Sequence, residues 1–255
     1  MEKVLFIGHG SPMNALDGNA YADSWKKIGE LCTTAKAILC ISAHWYAQET
    51  RVAVTNQPKT IHDFYGFPPE LYEITYAVPG SPKLARESAQ LLPATVYEDT
   101  TRGLDHGAWS VLRHISPEGR KIPVFQLSID STLSPEEQYS YGQKLSVLRS
   151  KEVLIVGSGN IVHNLGSVSM RTSGGYPWAE RFSSYIHQAI VEKKYEAVLS
   201  SLHTEADASL AVPTRDHFDP LNYILGAVQQ EDSVAVYNHA CTMGSISMSS
   251  YVFGA

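Results

Sequence analysis

Cysteine is scarce in this 255-residue sequence: there are three, Cys32, Cys40 and Cys241, and no two stand in a CxxC spacing. So few, and an odd number, build no disulfide framework and suit a reducing compartment. Each reads as a small buried hydrophobe. Basic runs are missing as well: the densest is the pair Lys193-Lys194, and the formal net charge is −6. Such a chain has no electrostatic hold on nucleic acid or on an anionic membrane, and neither is expected as a partner. No apolar run approaches the length of a membrane span. The opening apolar stretch is too short for a signal peptide and is better explained as a strand, so a cytoplasmic location is the expectation. Internal repeats, low-complexity tracts and linkers are also lacking, which leaves residues 1–255 as one domain.

What is present is ordinary globular material. Hydrophobic residues make up 44% and charged residues 18%, which argues against disorder, and the length allows a large core. Residues 4–8, 37–42, 122–129, 153–157 and 233–237 are apolar along their length rather than alternating. That is the mark of strands covered on both faces. Residues 51–55, 73–77 and 95–98 are weaker strand candidates, and 246–253 is a candidate edge strand. Helices are expected over 20–34, 81–92, 177–194 and 218–229. Another should start at Ser134-Pro135-Glu136-Glu137, which offers a Ser cap, Pro in the first turn and a Glu to close a capping box. Strands alternating with helices predict an α/β sandwich with a mostly parallel central sheet flanked by helices. Two irregular loops, 56–69 and 168–176, stand out as covers for a site.

Ten histidines are the most telling feature. His9 follows the first strand in Gly8-His9-Gly10-Ser11-Pro12, His44 follows the second in Ser42-Ala43-His44-Trp45, and His163 lies just past another. Ligands bind outside the carboxyl ends of strands in open α/β sheets, so these three converge on one crevice if the topology holds. His217 sits ahead of a helix. A single histidine at a strand end serves more often in packing than in chemistry; three, flanked by small residues, point to a metal. Imidazole suits Zn(II), Fe(II), Cu(II) or Ni(II), and three protein ligands leave positions open.

These segments, together with His62-Asp63-Phe64-Tyr65-Gly66-Phe67-Pro68, Leu104-Asp105-His106-Gly107-Ala108-Trp109, His163-Asn164-Leu165, Pro213-Thr214 with His217, and Gly244-Ser245-Ile246-Ser247-Met248, resemble the 4,5-DOPA extradiol dioxygenase family. The likeness runs in order through almost the whole chain and implies one extradiol dioxygenase-like catalytic domain. It implies one divalent metal, Zn(II) or Fe(II), held by His9, His44 and His217. It gives His163 the part of an acid–base or a further ligand, and sets His106 in the substrate pocket with a catalytic role. His62 is expected to guide a substrate carboxylate, with Tyr65 and Phe67 as an apolar wall. The implied partners are a small aromatic diol and O2, and the implied assembly is a monomer or small homo-oligomer. The usual non-haem iron triad has two His and a carboxylate; here the third candidate is His217, with Asp216 and Asp219 beside it. Three neutral imidazoles suit Zn(II) as well as Fe(II). Two other readings of the same residues stay open: a zinc-dependent hydrolase, and a binding protein without catalysis.

Overall fold

The computed structural model describes residues 1–254. Ten strands run in the order β1 (Val4–Gly8), β2 (Ala37–Ala47), β3 (Arg51–Ala53), β4 (Tyr97–Asp99), β5 (Val124–Asp130), β6 (Val153–Gly159), β7 (Val234–Tyr237), β8 (Cys241–Thr242), β9 (Ile246–Ser247) and β10 (Ser250–Phe253). The helices are α1 (Ala20–Glu30), α2 (Pro69–Tyr72), α3 (Pro82–Gln90), α4 (His106–Ile115), α5 (Pro135–Leu145), α6 (Pro177–Val191), α7 (Tyr195–Thr204), α8 (Ala208–Ala211) and α9 (Asp219–Ala227). Eight strands form one sheet in the order β4-β3-β5-β2-β6-β1-β10-β7, and β8 and β9 form a small separate pair.

The centre of the sheet, β5-β2-β6-β1, is parallel throughout. Alternate residues of these strands feed two cores. Val4, Phe6, Leu39, Ile41 and Ile155 face one side, packed with residues of α5, α6 and α9. Leu5, Ile7, Ile38, Cys40 and Leu154 face the other, packed with α1 and α4. Double burial is why these strands lack polar alternation. The expected capping box on α5 forms: Ser134 Oγ accepts from the Glu137 amide, and the Glu137 carboxylate accepts from the Ser134 amide.

Three expectations need correction. Residues 73–77 form no strand; Tyr76 is anchored instead through its hydroxyl to the Ser116 carbonyl at 2.7 Å. The segment 246–253 is no edge: β10 lies inside the sheet, antiparallel to β1 on one side and to β7 on the other. Helix α1 stops at Glu30, short of residue 34. The cysteines are buried and free, and burial pushes the Cys32 and Cys241 thiols up to about 12. A buried ion pair closes the base of the fold. Arg149 donates to both Asp232 carboxylate oxygens, at 2.6 and 2.8 Å, and to the carbonyls of Glu2 and Ala227. Among the described residues, no helix is long and apolar enough to cross a membrane.

Candidate active site

The carboxyl ends of β1, β2 and β6 deliver the histidines. His9 directly follows β1, and its amide donates to the Gly159 carbonyl at the end of β6. His44 lies within β2, where the pairing with β5 slips between Ile41 and Tyr46. An irregularity of this kind re-aims side chains beside a site. A buried polar latch fixes the kink. Asp105 caps α4 through the Ala108 amide and also accepts from Ser42 Oγ, Gln126 Nε2 and Arg102 Nη2. The same guanidinium nitrogen donates to the His44 carbonyl at 3.1 Å. His217 closes a short 3-10 turn ahead of α9. The Asn160 amide donates to its carbonyl, and a Cβ on Gly159 would run into that same carbonyl.

His9, His44 and His217 present one ring nitrogen each, all within 4.8 Å of one another. For His9 and His217, hydrogen bonds fix which nitrogen. Ser158 Oγ donates to the Gly107 carbonyl at 2.5 Å, so it accepts from His9 Nδ1 at 3.1 Å. His9 Nε2 is then left with its lone pair. His217 Nδ1 lies 2.7 Å from Asp216 Oδ2, which frees its Nε2 in the same way. His44 turns Nδ1 toward Asp63 at 3.6 Å and Nε2 toward His9 Nε2 at 3.2 Å. Burial, then the neighbouring His44 and His217, hold His9 well below the ordinary histidine pKa. Burial, then His106 and His217, bring His44 down to about 3.

Neutral imidazoles facing one another at this distance repel unless a proton or a cation lies between them. Two nitrogens on one tetrahedral Zn(II) stand about 3.3 Å apart for bonds of 2.0–2.1 Å, so the residues fit a divalent metal. The carboxylate and hydroxyl behind the rings match the partners that orient ligand histidines elsewhere. A second group of donors, His44, Asp63 and His106, lies alongside. Asp63 faces His44 from the Nδ1 side, away from His9 and behind the converging nitrogens.

The other expected residues divide. His163 stacks flat on His217, with centroids 3.5 Å apart and planes at 6°, and it stands outside the converging three. Burial, then His217, brings it down to about 2. His106 packs on His44 with centroids 3.8 Å apart, and its amide donates to Asp63 Oδ1 at 2.9 Å. Its Nδ1 is 3.0 Å from the same oxygen, close but poorly aligned for a hydrogen bond. Burial works to raise Asp63, but the contacts with His106 win and bring it to about 2. His62 requires correction: it does not line the chamber. Its Nε2 is 2.9 Å from the Ile74 carbonyl, and its ring packs among Phe64, Tyr72 and Trp109. Tyr65 does line the chamber, at its mouth, with 92% of its surface exposed.

The chamber holds about 470 Å³ and is walled by His9, His44, His106, His163 and His217 together with apolar side chains from both irregular loops. That volume suits a small organic ligand. Asp105, Arg102 and Ser158 were given no part in the site by the sequence reading, and Asp216 was noted there only as a carboxylate beside His217. Asp105 carried a local signal as well, an Asp one residue ahead of a helix.

Residues 3–254 match the sequence pattern of the catalytic LigB subunit of aromatic ring-opening dioxygenase. The chain belongs to the LigB family. Among its relatives, a 4,5-DOPA dioxygenase extradiol of Escherichia coli K12 is 40% identical, with 98% of this chain and 94% of the relative aligned. A Beta vulgaris protein of the same name is 37% identical over 99% of this chain and 97% of its own length. The crystal structure of an uncharacterized Escherichia coli K12 protein superposes with a TM-score of 0.87, at 36% identity and full coverage of both chains. This LigB member is therefore an enzyme of the dioxygenase type, an oxidoreductase that incorporates O2. Its fold is the expected α/β sandwich, and its imidazole cluster has the spacing to hold a metal ion.

Proposed function

We propose that this enzyme opens the ring of a catechol beside its two hydroxyls, using O2 and one metal ion held by His9, His44 and His217. The convergence of three imidazole nitrogens on the wall of an aromatic-sized chamber carries the reading. Fe(II) is the ion proposed for turnover, with Zn(II) as a resting occupant. When bound, the ion supplies positive charge that favours deprotonated catechol hydroxyls and, as iron, a place for O2.

The rest is the work of side chains. Ser158 and Asp216 hold the His9 and His217 rings in their tautomers and orientations, and Asp63 faces the His44 ring from its Nδ1 side. His163, stacked on His217 at the chamber wall, is placed to take a hydroxyl proton and return it later. His106, backed by Asp63, faces the same space and hydrogen-bonds a substrate oxygen. The apolar loops limit water around the ring. L-DOPA, for which the relatives are named, is the reference compound.

The test is to load the purified protein anaerobically with Fe(II), admit air with a catechol, and follow oxygen uptake and a yellow ring-opened product. Equimolar uptake with isotopic O2 found in the product supports the reading. A fully metal-loaded protein that consumes no O2 with any catechol would sink it, and ester hydrolysis by the zinc form would then bring forward the hydrolase alternative.

A further inference from the structure

We propose that the catechol taken up by this enzyme carries an uncharged, apolar substituent, selected by a wall built from the two irregular loops together with Met13 and Met243. The inference rests on the ring-opening reading for the diol end of the ligand; the tail is argued from the walls. Away from the imidazoles, the chamber is faced by Met13, Phe64, Phe67, Val168, Met170 and Met243. Among the described residues, no Lys or Arg lines it. The carboxylate in the lining is Asp63, which already accepts from the His106 amide and sits against the His44 and His106 rings. Arg102, behind the site, is committed to Asp105 and the His44 carbonyl.

A carboxylate tail on this wall would lose its hydration with no cation to replace it, and it would meet Asp63 as a like charge. An alkyl tail gains with every methylene buried. The mouth continues the pattern: Tyr65, Leu165 and Met170 line the chamber and are 92%, 70% and 83% exposed. Large apolar side chains left open around a cavity mark a place where an apolar ligand is covered. Three of the wall residues are methionines, whose flexible thioethers adapt to tails of different shape.

The experiment is anaerobic calorimetric titration of the Zn(II)-loaded protein. The probes are catechol, its methyl, ethyl and propyl derivatives, dihydroxyphenylpropanoate and L-DOPA, with oxygen uptake by the Fe(II) form measured on the same set. Affinity should rise roughly fourfold per methylene along the alkyl series. The propanoate should bind on the order of tenfold more weakly than propylcatechol, because its charge is buried unpaired. Val168→Arg, which adds a cation to the wall, should reverse that order; circular dichroism checks that it folds, and the parent series decides the matter without it. A flat alkyl series, no binding by any probe, or propanoate or L-DOPA binding as tightly as propylcatechol overturns the proposal. So does a selective loss of carboxylate binding in Arg171→Ala, since Arg171 follows Met170 at the rim. Failure of oxygen uptake with every probe, with the binding order intact, would instead strike the ring-opening reading.

Discussion

Replacing Asp216 by Asn keeps the size of the side chain and removes its charge. In the native protein that carboxylate lies 2.7 Å from His217 Nδ1, and its pKa is lowered: burial opposes this, but the hydrogen bond and charge of His217 prevail. Charge-assisted hydrogen bonds are about twice as strong as neutral ones. Loss of such a partner behind a metal ligand costs about 10- to 100-fold in metal affinity, or about 1.4–2.8 kcal/mol. Asp216→Asn retains an acceptor and belongs near the lower end, whereas Asp216→Ala removes it and belongs near the upper. Ser158→Ala removes a neutral hydroxyl 3.1 Å from His9 and should cost less, roughly two- to tenfold. Zn(II) affinity is read by competition with a chromophoric chelator at neutral pH, and melting of the metal-free variants checks that the fold is intact. The expected order of loss is Asp216→Ala, then Asp216→Asn, then Ser158→Ala. Three variants that bind Zn(II) like the parent would refute the tautomer argument and the ligand set with it.

Gly159→Ala should lower both stability, by about 1–3 kcal/mol, and metal affinity, because its methyl group must displace the His217 carbonyl; urea unfolding and the chelator assay read the two effects. His62→Ala should lower the melting temperature yet change KM less than about twofold, since the ring is packed behind the chamber rather than in it. Asp232→Ala leaves the Arg149 guanidinium buried without its carboxylate and should cost about 3–5 kcal/mol at pH 7 in chemical unfolding. The Asp232 pKa is depressed in the fold: burial opposes this, but the Arg149 hydrogen bonds outweigh it. Its stabilisation is therefore complete above the ordinary Asp pKa of about 3.9 and is lost as pH falls through the lower folded value. The gap between parent and variant should narrow in acid; a constant gap from pH 7 to pH 3 contradicts the assignment.

The parallel centre of the sheet was legible because double burial writes itself as unbroken apolar runs, and α5 was legible because its cap is local chemistry. The chamber loops were legible from their irregularity. What could not be read was set by tertiary context. Residues 246–253 looked like an edge because nothing local says that β1 and β7 will both pair with β10. Helix α4 was missed although Asp105 caps it, since His106-Gly107 is a poor helical opening by propensity. His62 and Asp63 are neighbours in sequence, yet only Asp63 enters the site, because Ile74 holds the His62 ring on the other side. The three histidines at strand ends suggested His9, His44 and His163. The family resemblance, not the strand pattern, pointed to His217, and in the fold His163 lies flat against it.

The placement of β10 has a consequence for how this protein is made. Val4 pairs with Phe253, so β1 cannot complete its hydrogen bonding until residues 250–253 have been made. During that interval one side of β1 is a bare template, the kind of surface on which growing chains stick to one another. A chain that stops between residues 160 and 249 would pair β1 with β6 on one side and leave its other side bare. The strand that delivers His9 thus keeps an open edge until β10 has docked beside it.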